Sequence, residues 1–169
     1  DDVIGVLVEQ TQEFGQHEEV MIISADKDFA QLQKYGNVSQ FSPMTKKFIK
    51  EDHPRKQLLE LILKGDTSDG VPNVLSDDNV FVNGVRQTPL RKPIIEALMQ
   101  DPNSQGENVL RNIQRNRILI DLESTPQVLK EKIIYSYDNQ NKANNRGKVF
   151  PYLVDKRCRR LLEDVKDFI

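Results

Sequence analysis

Six aspartates fall in three close pairs along the 169-residue chain: Asp1/Asp2, Asp26/Asp28 and Asp66/Asp69. Their carboxylates are hard oxygen donors of the kind that small divalent cations prefer. Magnesium takes only a few of them and completes its shell with water and phosphate oxygens. Two such ions held roughly 3.5–4 Å apart activate a water and stabilise the leaving oxygen in phosphodiester cleavage. Brought together without cations, that many carboxylates repel one another strongly. Little rival chemistry is on offer. His17, His53 and Cys158 lack the spacing of a zinc set, and neither Ser24 nor His17 belongs to a nucleophile–base arrangement. Each pair also has an ordinary structural explanation. Asp1/Asp2 suit the first turn of a helix, Asp26 can cap a helix with Asp28 behind it, and Asp66/Asp69 suit a turn before Gly70 and Pro72.

The elements that would position these pairs can be read from apolar spacing. Ile4, Leu7, Val8 and Phe14 predict a helix opening at Asp1-Asp2 and closing near Gly15. Val20–Ser24 reads as a short strand buried on both faces, ending in Asp-x-Asp; Phe29 and Leu32 then begin a helix that stops near Gly36. Acids so placed lie at the carboxyl edge of a sheet, where open α/β sheets bind ligands. Val38–Pro43 and Lys47–Lys50 alternate as a hairpin around Pro43 and Thr45. A leucine-rich helix around Leu58–Leu63 runs into the Gly65–Pro72 loop. Residues 73–86 are irregular. Thr88-Pro89 then opens a further helix with Thr88 as its cap, and others follow at Val109–Leu119, Thr125–Ile134 and Pro151–Ile169. Asp138–Gly147 reads as a flexible link.

Composition sets limits. The chain has 24 basic and 26 acidic residues, a net charge of −2. With the six paired aspartates set aside, 20 acidic residues remain against the 24 basic ones, so an acidic pocket lies within a mildly basic surface. That balance suits a metal enzyme acting on a polyanion. No apolar run is long enough to span a membrane, and a single cysteine, Cys158, forms no internal disulfide and fits a reducing interior. A helix beginning at the first residue, with no methionine before it, leads to the expectation that these residues are part of a longer protein.

Several stretches together resemble the 5′-nuclease (flap endonuclease) family, and within it the phage ribonuclease H branch. They are Asp1-Asp2 at a helix start, Ile22-Ile23-Ser24-Ala25-Asp26-Lys27-Asp28-Phe29-Ala30-Gln31-Leu32, and Lys64-Gly65-Asp66-x-x-Asp69-Gly70-Val71-Pro72. Asn37-Val38-x-Gln40-x-Ser42-Pro43-Met44, Arg86-x-Thr88-Pro89 and Arg146-Gly147-Lys148 add to the likeness. It covers nearly the whole chain.

The resemblance implies an α/β fold: part of a mostly parallel, PIN-like sheet flanked by helices over residues 1–65, then a helical subdomain over 66–169. It implies a nuclease working 5′→3′ with two Mg²⁺ ions, for which Mn²⁺ substitutes, removing RNA primers and adjoining DNA during lagging-strand replication. Asp1, Asp26, Asp28, Asp66 and Asp69 would be catalytic, and all of these with Asp2 would hold metal. The Gly65–Thr88 stretch resembles the family's helix–turn–helix element, which grips the duplex backbone, with a longer Val74–Val85 insertion in place of its glycine hairpin. Lys64, Arg86, Thr88, Arg91, Lys92, Arg146 and Lys148 would contact nucleic acid. Substrates would be duplex DNA, RNA–DNA hybrid and 5′ flaps, with single-stranded-DNA-binding protein and sliding clamp as partners in the cytoplasm of a phage-infected cell. Two departures stand out. The family's first motifs, its arch and further acids would precede Asp1, and Lys27 stands between Asp26 and Asp28, where it can soften their repulsion. Two other readings remain. An aspartyl-phosphate phosphatase also places Asp-x-Asp after a strand, but it wants Thr or Val where Ala30 stands; a module that binds DNA without cleaving it would keep the same fold.

Overall fold

The computed structural model describes residues 1–12, 18–140 and 146–167. They group into two compact units, Asp1–Tyr135 and Ser136–Ile169. Helix α1 (Asp2–Gln10) precedes strand β1 (Val20–Ile23), a 3₁₀ helix (Lys27–Lys34), and strands β2 (Val38–Ser42) and β3 (Lys47–Ile49). Then come α2 (Pro54–Lys64), α3 (Lys92–Gln100), α4 (Glu107–Ile120) and α5 (Gln127–Asp138). In the second unit lie α6 (Arg146–Asp155) and α7 (Arg159–Glu163). Among the described residues no helix is long and apolar enough to cross a membrane.

The architecture is mixed α/β with one small sheet in the order β1-β2-β3. The β1–β2 pairing is parallel, with Ile22 opposite Gln40, whereas β2–β3 is an antiparallel hairpin. A mostly parallel sheet was expected; among the described residues the two pairings divide evenly. Among the described residues, strand β1 is also covered on one face only. Ile22 is buried, while Met21 and Ile23, which the two-residue period turns the other way, are 56 % and 67 % exposed. Only the Ile22 side meets a packed layer, formed by Val8, Phe29, Leu32 and Leu122.

A second, larger core binds α2, α3 and α4 through Ile62, Leu63, Leu98, Ile113 and Ile120, with Val71 and Val74 from the loop after α2. Burying such a side chain is worth roughly 1.5–3 kcal/mol, which is how a long irregular segment is held against helices. Other boundaries depart from expectation. Helix α1 ends at Thr11, before the anticipated stop at Gly15, and Phe14 and Gly15 lie outside the described residues. The 3₁₀ helix and hairpin fall where periodicity places them. Helix α3 starts at Lys92 behind the cap residue Arg91, so Thr88 is not at a helix N-terminus. The single C-terminal helix is two: α6 begins at Arg146 and contains Pro151, and the break before α7 includes Arg157 at φ 53°. Residues 141–145 of the anticipated link also lie outside the description.

Candidate functional site

The turn that carries Asp26 and Asp28 is fastened from below. Gln40, fully buried on β2, donates through Nε2 to the carbonyls of Ser24 (3.0 Å) and Asp26 (2.6 Å), while its Oε1 accepts from Gln33 at 3.3 Å. The Asp26 carboxylate accepts the Asp28 amide at 3.0 Å, so Asp26 caps the 3₁₀ helix and directs Asp28 to its first turn. Gln31, also buried, ties the same helix to the end of α4: it donates to Ile120 O and accepts from Leu122 N.

The facing loop needs its glycine. Gly65 has φ 69°, and a Cβ there would lie 2.4 Å from Val71 O. This close approach allows the Asp66–Val71 bridge, with Val71 N donating to Asp66 O at 2.7 Å and Val74 N to Leu63 O at 3.1 Å. Asp66 is thereby sunk to 4 % exposure at the foot of the loop, with Asp69 exposed above it.

The two segments meet. Carboxylate oxygens of Asp28, Asp66 and Asp69 lie within 4.8 Å of one another. Asp66 Oδ1 accepts from the amide and hydroxyl of Ser68. Asp66 Oδ2 is buried, and its one close partner among the described residues is the Lys27 ammonium, with Nζ at 2.6 Å. Asp28 Oδ1 is buried with no partner at all. Electrostatics follow from this geometry. Burial, then the Asp26 and Asp66 charges, push the Asp28 carboxyl above its ordinary value. The Lys27 ammonium and the Ser68 hydroxyl hold Asp66 down at about 2. One buried oxygen without a partner and a second met only by the Lys27 ammonium, set among converging carboxylates, have the donor chemistry of a divalent-cation site: hard oxygens, high negative charge and open lone pairs.

The structure does not bring the other expected ligands to this cluster. Asp26 is used as the cap. Asp2, on α1, accepts from the Thr125 hydroxyl at 3.2 Å, and Asp1 stands exposed before that helix. Sequence reasoning missed Gln40, Gln31 and Ser68, whose partners lie up to 91 residues away. For Gln40 the signal was a polar residue inside a strand pattern. Lys27 was placed between Asp26 and Asp28, and its ammonium pairs instead with Asp66.

Among the expected nucleic-acid contacts, Arg86 and Arg91 are exposed on the segment between α2 and α3, and among the described residues neither has an ion-pair partner. Lys92 pairs loosely with Glu96 (3.8 Å), and Lys64 with Glu60 at 2.7 Å. Thr88 is committed elsewhere: its amide donates to Ser76 Oγ at 3.0 Å and its carbonyl accepts from Asn73. Its expected role of offering free helix-end amides is therefore corrected. Lys148 is exposed on α6; the Arg146 side chain lies outside the description.

Fold and site together define a mixed α/β protein with a cation-ready carboxylate cluster at the carboxyl end of a strand. Residues 53–168 match the model of the family described as T4 RNase H, C terminal, and the chain belongs to that family. It is also similar to the ribonuclease H of Enterobacteria phage T4, with 35 % identity over 178 residues covering 99 % of this chain and 57 % of that protein. The chain thus spans little more than half the length of this curated relative.

Proposed function

We propose that this chain supplies part of the metal centre and of the nucleic-acid surface of a Mg²⁺-dependent 5′→3′ nuclease of the ribonuclease H and flap endonuclease type. The observation that carries the proposal is the Asp28–Asp66–Asp69 cluster, in which Asp28 Oδ1 is buried without a partner and Asp66 Oδ2 meets only a lysine ammonium. When bound, divalent cations supply an activated water and charge stabilisation at the leaving oxygen of a phosphodiester. Asp28, Asp66 and Asp69 would hold them, and Asp1, Asp2 and Asp26 would join through water or through a shift of their side chains. The chain's own contribution is placement. Gln40 and Gly65 fix the two backbone segments that aim the carboxylates, which matters because small misplacements can lower rates roughly 10²-fold.

Arg86, Arg91 and Lys92 would neutralise phosphates of duplex DNA, RNA–DNA hybrid or a 5′-flap substrate, with α2, the loop and α3 acting as the helix–turn–helix grip. Residues 66–169 remain the proposed duplex-binding part, with Lys148 and Arg146 as further contacts. The partners named above and a role on the lagging strand belong to the same proposal. A second reading, duplex binding without cleavage, is favoured by one observation: Asp2 is engaged with Thr125 and not with the cluster.

The deciding experiment follows Mg²⁺- and Mn²⁺-dependent release of nucleotides from a 5′-labelled RNA–DNA hybrid, alongside Mn²⁺ binding by the protein. Saturable Mn²⁺ binding that Asp28→Asn abolishes, together with 5′→3′ release, is expected. Duplex binding with neither would leave the non-cleaving module, and hydrolysis of a small phosphate monoester would point to a phosphatase.

A further inference from the structure

The cation already inside the cluster belongs to the protein. Lys27 Nζ lies 2.6 Å from Asp66 Oδ2, and the two side chains are 57 % and 5 % exposed. The ammonium therefore reaches from solvent onto a carboxylate that is itself sunk in the fold. Asp66 Oδ1 is occupied by both donors of Ser68, so Oδ2 is the oxygen left to bind a metal, and Lys27 alone stands on it. Around the same ammonium lie the charges of Asp28 and Asp69.

We propose that Lys27 is a tethered counter-ion that occupies the metal-facing oxygen of Asp66 in the metal-free protein and swings out when a divalent cation enters. The inference rests on the metal centre proposed above. The backbone beneath Lys27 does not need to move for this exchange, because Gln40 holds Asp26 O and Asp26 holds the Asp28 amide. Only the long, mostly exposed lysine side chain changes place. Two consequences follow. Without metal, Lys27 offsets repulsion among Asp28, Asp66 and Asp69. With metal, it competes: apparent affinity falls by the fraction of molecules in which the ammonium has left Asp66. A partly exposed ion pair is worth no more than roughly 1 kcal/mol, which limits the competition to about fivefold.

Substitution separates the lysine's charge from its packing. Lys27→Met keeps the length of the side chain and removes the competitor; Lys27→Arg keeps a cation. Mn²⁺ affinity, measured by electron paramagnetic resonance or titration calorimetry on the purified protein, should tighten about two- to fivefold in K27M and stay near wild type in K27R. The metal-free melting temperature should fall in K27M and recover with Mn²⁺. Unchanged or weaker Mn²⁺ affinity in folded K27M would overturn the proposal, since the lysine would then be neutral or would assist the metal. Asp28→Asn in the same titration provides the control. If wild type binds Mn²⁺ and D28N does not, failure of K27M to bind tighter counts against Lys27 alone. If neither wild type nor K27M binds, the metal centre itself is wrong. Binding by K27M where wild type shows none would be the strongest support.

Discussion

Two polar clusters sit in the same compact unit and are built on opposite terms. In the first, α4 reaches across to the loop after α2. Asn116 donates to Ile62 O and Pro72 O, both at 2.8 Å, and Asn112 to Val74 O and Ser76 O. Arg115 adds Pro72 O, and with Arg111 it brackets Asp78. Asn73 fastens the far side through Ser76 and Thr88. Each of these buried amides has partners. The second cluster joins Asp66 and Asp69 of the same loop to Asp28 of the 3₁₀ helix, and it keeps one buried oxygen without a partner and another met only by the Lys27 ammonium. A satisfied buried network lowers energy by existing; an unsatisfied one raises it until something binds. The first cluster therefore reads as scaffold and the second as site. They join at Pro72, whose carbonyl is gripped by the scaffold six residues after Asp66.

That contrast is open to attack at several points. The largest effect is expected at the site. Asp28→Asn should abolish or weaken divalent binding about 10²-fold or more, and hydrolysis with it, while duplex affinity is largely kept because phosphate contacts carry it. Its metal-free stability should be equal to or above wild type, since a half-buried carboxylate pressed by Asp26 and Asp66 is neutralised. Near-normal turnover in this variant would sink the assignment.

The scaffold should behave in the reverse way. Asn116→Ala removes the side-chain donor from Ile62 O and leaves Pro72 O to Arg115, and should lose roughly 1–3 kcal/mol in urea unfolding, with or without metal. A loss that Mg²⁺ repairs would mean that the two clusters are not distinct.

Smaller effects belong to the loop surface that the scaffold presents. Arg86→Ala with Arg91→Ala should weaken duplex binding alike for all sequences and flatten its salt dependence by about one unit of slope per lost phosphate contact. An unchanged slope places these arginines away from the backbone.

Smallest is the exposed edge of the scaffold. Arg111 and Arg115 hold Asp78 at about 2, below its ordinary 3.8. The unfolded chain therefore takes up this proton first as pH falls. The stabilisation is complete above about pH 4 and is lost as pH drops towards 2. Asp78→Asn should flatten the acid limb of the stability curve only slightly, and less at high salt, because the pair is solvated.

Much of this contrast was legible along the chain. Short-range periodicity located β1, the 3₁₀ helix, the hairpin, α2 and α4, because strand alternation and helical apolar spacing are local properties. Asp66-x-x-Asp69 between Gly65 and Gly70 announced a special loop, since the left-handed backbone at Gly65 admits no side chain. The likeness of three acidic motifs pointed to the family that residues 53–168 match. What spacing does not carry is which distant groups meet. Thr88-Pro89 has the local form of a helix start, yet Ser76 and Asn73 capture its backbone and the helix waits until Lys92. Met21 and Ile23 have the composition of a doubly buried strand, but burial depends on what packs against the strand. All six aspartates are equivalent by type. Three of them converge because Gln40, 14 residues from Asp26, pins one turn while the Gly65–Val71 contact lowers the other, and Lys27 turns to Asp66 because that is where a buried, unpaired charge lies. Residue types set which chemistry was available; long-range hydrogen bonds and charge burial, which only the folded chain possesses, decided which of those residues meet.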